Sequence, residues 1–110
     1  MAYRFVRARP IADRLTELRE RLDSGEIERM EPFGRGMTTA LNGARYDPET
    51  DEAVWVEEDY CTPPLAMERE AVLDDYFEAI TIVDPDVDED EGWNRIDGLP
   101  SLWDRIEAEP

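Results

Sequence analysis

Apolar residues recur along this chain in two periods, and the switches between them mark the elements. Over residues 3–8, Tyr3 and Phe5 alternate with Arg4, the period-two pattern of a short strand. Pro10 then suits the first turn of a helix, and Ile11, Leu15, Leu18 and Leu22 follow at spacings of four, three and four, one narrow apolar stripe that Ser24-Gly25 ends. Residues 26–36 contain Pro32, Gly34 and Gly36 and read as a loop. Residues 37–46 and 52–60, rich in Thr, Val, Trp and Tyr, flank the turn-forming run Asp47-Pro48-Glu49-Thr50-Asp51 and read as a hairpin.

Thr62 is placed to cap a second helix with Pro63 at its first position, and Leu65, Val72, Leu73, Tyr76 and Phe77 form its buried face. The β-branched residues 79–83 follow as a last strand. The resulting order, β-α-β-β-α-β, predicts an α+β domain of the ferredoxin-like type over residues 1–83. Residues 84–98 begin with six acids in the eight residues from Asp84 to Glu91 and read as a hydrated acidic linker. Over residues 99–110, Leu99, Leu102, Trp103 and Ile106 fall at offsets of three, four and seven, a short amphipathic helix. So short a helix is unstable alone in water and must dock, on its own domain or on a partner.

Charge changes this picture next. The chain holds 29 acids against 12 bases in 110 residues, a net charge of -17, and every base is arginine; lysine, histidine and glutamine are absent. Nine of the arginines lie in residues 1–46 beside seven acids, whereas residues 47–110 carry three arginines and 22 acids, so a basic patch sits on an acidic body. At molar salt the Debye length falls to about 3 Å, and carboxylates that repel one another in dilute buffer no longer do. In this composition the chain resembles cytoplasmic proteins of salt-in halophilic archaea. That resemblance implies an environment, and its acid runs are solvation before they are metal sites. No stretch is long and apolar enough for a membrane span, the N-terminal residues lack the apolar region of a signal peptide, and Cys61 has no partner for a disulfide, so the expected location is the cytoplasm.

The missing residue types exclude much chemistry. Without histidine, acid-base catalysis would fall to a carboxylate, tyrosine or cysteine with a shifted pKa, and without lysine neither a Schiff base nor a P-loop lysine is possible. No cofactor is implied. Cys61, ahead of a helix, has no histidine to activate it and reads as a buried, inert thiol. Asp86, Asp88, Asp90, Asn94 and Asp97 fall at positions 1, 3, 5, 9 and 12 of a loop that resembles an EF-hand, but Glu91 stands where that family needs glycine and Asp97 where it uses a bidentate Glu, so no metal is expected. Nucleic-acid binding through Arg4, Arg7, Arg9 and Arg35, with Tyr3 and Phe5 stacking, is disfavoured by salt and by the negative body.

One group remains. Strand alternation puts Ala53, Trp55, Glu57 and Asp59 on one face and Val54, Val56 and Tyr60 on the other. If the valine face packs on the helices, Trp55 and Glu57 look out from an uncovered sheet face, with Arg35, Tyr60 and Arg69 as neighbours in a candidate ligand site. Arg69, among apolar helix positions, either snorkels or pairs with a sheet carboxylate such as Glu58. In element order and size the chain is similar to small dimeric α/β-barrel proteins, among them heme-degrading and quinone-forming monooxygenase relatives, which implies a dimer or a pocket on such a face. Two functions follow as expectations. The first is a non-catalytic, salt-adapted interaction or regulatory protein, a homodimer that reaches a protein partner through the terminal helix. The second is a small cofactor-independent enzyme or ligand-binding dimer using the open sheet face.

Overall fold

Strand β1 (Ala2–Pro10) is the spine of the molecule, and the computed structural model describes residues 1–105. It is longer than the expected strand because Pro10 ends β1 opposite Phe77 instead of opening a helix. Ile11 N–H then donates to Tyr76 O (2.9 Å), and a single 3-10 turn (Ala12–Arg14) leads into α1 (Leu15–Asp23). The stripe of Leu15, Leu18 and Leu22 is buried as its spacing requires, each side chain contributing roughly 1.5–3 kcal/mol.

The largest departure from the sequence reading follows. Gly34–Asn42 is a helix, α2, where a strand was expected over residues 37–46. Met37, Ala40, Leu41 and Ala44 are all buried at offsets of three, four and seven, a helical stripe that the two threonines and two glycines of the segment disguise. Gly34 is required by space: a Cβ there would lie 2.3 Å from Ile27 O, because α2 starts directly against the preceding turns. Only Arg45–Asp47 remains as β2, which turns through residues 48–51 into β3 (Glu52–Asp59) with Arg45 opposite Val54 and Asp47 opposite Glu52. The expected hairpin is therefore present with a short first strand.

The second helical segment runs from α3 (Ala66–Glu68) through a π turn (Arg69–Leu73) into α4 (Asp74–Tyr76), burying Leu65, Val72, Leu73, Tyr76 and Phe77 as expected. Thr62 does not cap it; Asp59 Oδ2 instead accepts from Leu65 N–H (2.8 Å). Strand β4 (Phe77–Val87) is longer than residues 79–83, and α5 (Glu89–Arg95) follows it, so residues 84–98 are not a linker. Asp88 caps α5 by accepting from Glu91 N–H (3.1 Å), and three of the six acids that read as solvation, Glu89, Asp90 and Glu91, sit in its first turn, where the helix dipole favours them.

The four strands form one antiparallel sheet in the order β2-β3-β1-β4, and the fold is α+β. Val6, Ala8, Ala53 and Trp55 face the main core with α1, α2 and the 66–76 segment. Phe5, Val54 and Val56 face a second, smaller core closed by Val87 and Ile96, with Tyr3, Trp93 and Leu99 packed on it. Both faces are covered, and α5 comes so close that a Cβ on Gly92 would lie 2.7 Å from Val56 Cγ2. The tail docks on its own chain. Tyr46 N–H donates to Pro100 O (2.8 Å), Leu102 N–H to Ala44 O (2.9 Å) and the Trp103 indole N–H to Leu41 O (2.7 Å). No helix among the described residues is long and apolar enough to cross a membrane.

Candidate functional site

The side chains of β3 alternate as the sequence requires, but the coverage of its two faces is the reverse of the expectation. Trp55 and Glu57 point into the main core and are fully buried. Trp55 packs on Phe77 with ring centroids 5.0 Å apart, and its indole N–H donates to Glu57 Oε1 (2.8 Å). They cannot line an open sheet face, because α1, α2 and the 66–76 segment occupy it. Arg69 is exposed and pairs with Asp74 of its own helical segment (3.1 Å) rather than with Glu58.

Of the expected ligand residues, Arg35 and Tyr60 do come together, on the other side of β3. They line a groove of about 610 Å³ between α2 and α5, walled by Tyr3, Val56, Glu58, Glu89 and Trp93. Tyr60, 71% exposed, donates its hydroxyl to Glu58 Oε1 (2.8 Å), and this bond leads the causes that push the Tyr60 phenol upward. The Tyr3 phenol is also raised, by desolvation first and then by the charges of Glu89 and Glu58. Three rings and two carboxylates thus converge on one concave surface, with Arg35 the single positive charge on its wall.

Beneath Tyr60 lies a second constellation that alternation alone does not reveal. Asp59 is 1% exposed; its Oδ2 accepts from Arg4 Nε (2.9 Å) and Leu65 N–H, and its Oδ1 from Cys61 N–H (3.0 Å). Burial alone would raise this carboxyl, but those donors together with Glu68 outweigh it and hold it below the usual range. Arg4 also donates to the carbonyls of Cys61 (3.1 Å) and Pro85 and so ties β1 to the loop after β3 and to the end of β4. Glu68, 1% exposed, is pushed upward by burial and by the charge of Asp59. The Cys61 thiol lies 3.5 Å from Glu68 Oε1. A backbone hydrogen bond from Met67 pulls that thiol down, yet burial, Glu68 and Asp59 prevail and leave it raised, the opposite of an activated cysteine.

The chain matches no protein-family model, no curated protein and no solved structure. What the site does therefore rests on its geometry.

Glu57 completes the buried group. Desolvation pushes its carboxyl up to about 8, with Glu68 and Asp59 adding to the rise and the Trp55 hydrogen bond opposing it, while its Oε2 has no partner among the described residues. Of these three buried carboxyls, Asp59 is the one paired with Arg4. A cavity of about 120 Å³ lined by Phe33, Asp59, Cys61, Met67 and Glu68 adjoins the group, and it shares Pro32, Gly36, Glu58 and Tyr60 with the groove. Sequence reasoning missed Asp59, Glu68 and the pairing of Arg4 because the 60–65 loop, whose turn Leu65 makes at φ 60°, decides that Glu68 returns to β3. Only the alternation of Glu57 with Asp59 was available as a signal.

The expected interaction residues are placed differently. Leu102 is fully buried and Trp103 is 9% exposed, both in the main core, and Leu99 packs on the second core. They are consumed by contacts within the chain, because the apolar stripe found a groove beside α2 and β2 before it needed a partner. Ile106 lies outside the described residues.

Proposed function

We propose that this chain is a non-catalytic binding protein that takes up a small organic cation in the groove between α2 and α5. One observation carries the reading: Tyr3, Tyr60 and Trp93 meet Glu58 and Glu89 around about 610 Å³ of concave space. This exceeds the roughly 300 Å³ at which ligand pockets begin. Ring faces attract a cation by about 0.5–2 kcal/mol each, and neighbouring carboxylates add charge without requiring the cation to be fully desolvated. The absence of histidine and lysine and the raised, hydrogen-bonded thiol favour binding over catalysis. A protein partner at the terminal helix is set aside, since Leu102 and Trp103 have no free surface.

Fluorescence tests this directly. Trp55 and Trp103 are buried, so a ligand in the groove perturbs Trp93. Titration with tetramethylammonium is expected to change the emission saturably, and Tyr60→Ala to weaken binding about 2- to 30-fold, the loss of one such contact. A neutral isostere that binds equally well would overturn the reading, as would the absence of any saturable change.

The sheet supports a ferredoxin-like reading of the fold as well. Its order β2-β3-β1-β4 is antiparallel throughout, with helical segments between β1 and β2 and between β3 and β4, and α2 and α5 are additions to that plan. The setting we propose is a salt-rich cytoplasm, which the net charge of -17 and the lysine-free surface support. We place the proposed homodimer at the outer edge of β4, where Val83 is 49% exposed and, among the described residues, no strand pairs. The Trp55 and Glu57 face of the sheet, where the sequence put it, is filled by α1, α2 and the 66–76 segment. Thermal unfolding is expected to shift upward as KCl rises from about 0.1 M to about 3 M, where screening removes carboxylate repulsion. Light scattering on the high-salt sample is expected to give twice the chain mass. A midpoint indifferent to salt would refute the adaptation, and a monomer the assembly.

A further inference from the structure

The buried group behind Tyr60 holds a combination of donors that the groove does not use. We propose that Asp59, Cys61 and Glu68 form a binding site for one zinc-type divalent ion. Their ligand atoms, two carboxylate oxygens and one sulfur, all lie within 4.8 Å of one another. A tetrahedral ion with bonds of roughly 2.0–2.3 Å spaces its donors roughly 3.3–3.8 Å apart, so small side-chain rotations close the set. Cys61 Sγ and Glu68 Oε1 are already 3.5 Å apart.

A second observation points to a ligand independently of that cluster. Glu57 lies two residues before Asp59 on the same face of β3, is fully buried, and feels the charges of both Glu68 and Asp59. Among the described residues its Oε2 has no hydrogen-bond partner, an omission that buried carboxyls rarely tolerate. A water on the ion, entering from the adjoining cavity of about 120 Å³, supplies the missing partner. Fourth positions of this kind are filled by water in three-ligand zinc sites.

Charge closes the argument. With Asp59, Glu68 and Cys61 ionised, three negative charges face Arg4 and a divalent ion, and the buried set is neutral. The ion takes Cys61 as thiolate and both carboxyls ionised, so binding displaces the protons these groups hold, and no electrons move. Arg4 remains on Asp59 Oδ2, leaving the ion to Oδ1. One thiolate with two carboxylates is a borderline-soft set that suits zinc or cobalt and disfavours magnesium and calcium, which take oxygen alone and more of it.

The test uses the full chain, stripped with chelator and held at about 1 M KCl, where the Debye length of about 3 Å suppresses diffuse cation binding to surface acids. Cobalt(II) is expected to bind one per chain, with a thiolate-to-cobalt charge-transfer band in the near ultraviolet. Zinc should displace it, and metal binding should release protons in weakly buffered solution near neutrality. Cys61→Ser is expected to abolish the band, and Glu68→Gln to weaken zinc at least tenfold, while Asp90→Asn in α5 leaves both unchanged. If either core variant fails to fold, the wild-type thiol provides the same test, since its alkylation rate should fall on adding zinc. Several ions per chain without a charge-transfer band, or an alkylation rate indifferent to zinc, would mean adventitious binding to surface acids and would overturn the site. Because these readouts involve neither Trp93 nor tetramethylammonium, failure here leaves the groove reading standing, and the reverse holds too.

Discussion

Replacing Trp103 by alanine is expected to destabilise the fold by about 3–5 kcal/mol, the range for truncating a large core aromatic. The indole is 9% exposed and sits in the main core, its N–H donates to Leu41 O at 2.7 Å, and the Arg19 guanidinium lies 4.7 Å from its ring centroid. Truncation leaves a cavity and removes one of the donors to the Leu41 carbonyl at the end of α2, which retains the Ala44 N–H (3.2 Å). Leu102→Asp should act in the same direction by placing a charge at a fully buried position beside Ala44. Denaturant unfolding at about 1 M KCl, where surface repulsion is screened, measures both. A loss below about 1 kcal/mol, within the ordinary range for surface positions, would mean that the tail is not docked as described. The protein-partner reading of this helix would then regain its surface.

The second large effect is expected at Arg4. Arg4→Leu removes the cation paired with Asp59, and breaking a buried pair from one side typically costs about 3–5 kcal/mol. The guanidinium is 13% exposed and Asp59 not at all, so solvent screening does little to soften the loss. It also takes donors from the carbonyls of Cys61 and Pro85, which frees the loop after β3 from the end of β4. The pH dependence has a definite sign. Asp59 is held below its usual range, so the stabilisation it shares with Arg4 is present above the ordinary carboxyl pKa and lost as the pH falls through the depressed value. The gap between wild type and variant should therefore narrow in acid. Pairing Arg4→Leu with Asp59→Asn separates charge from packing: the double variant should be more stable than Arg4→Leu alone, since a neutral amide needs no counter-charge and its single oxygen still accepts from one of the Leu65 and Cys61 N–H groups. Unfolding measured with chelator present checks this, and a double variant no better than the single would assign the cost to packing.

The elements with the strongest periodicity were legible. The Leu15, Leu18, Leu22 stripe, the turn at residues 47–51 and the buried face of the 66–76 segment lie where hydrophobic spacing puts them. Gly34–Asn42 was misread because glycines and threonines are poor helix formers in isolation, and burial of Met37, Ala40, Leu41 and Ala44 overrides that preference. Residues 84–98 were misread for a different reason. Six acids dominate any average, yet Val87 ends β4, and Gly92, Trp93 and Ile96 are the positions that meet the sheet, enough to dock a seven-residue helix.

The candidate site divides along the same line. Alternation along β3 correctly paired Trp55 with Glu57 and set Tyr60 apart from them, but which face is covered is a property of two helices far away in sequence. Arg35 and Tyr60 were named as neighbours and do share a groove, whereas Trp55, Glu57 and Arg69 belong to the core and to the outer surface of the helical segment.

By itself, then, the sequence determined the α+β class, the acidic character of the surface and the absence of histidine and lysine chemistry, because these depend on local spacing and on composition. Only the tertiary structure decided that the terminal stripe seals its own core, that α5 closes the second face of the sheet, and that Asp59, Cys61 and Glu68 meet around one point. Those outcomes depend on how residues tens of positions apart compete for the same buried space. A one-dimensional pattern states which side of an element is apolar; it does not state what that side will touch.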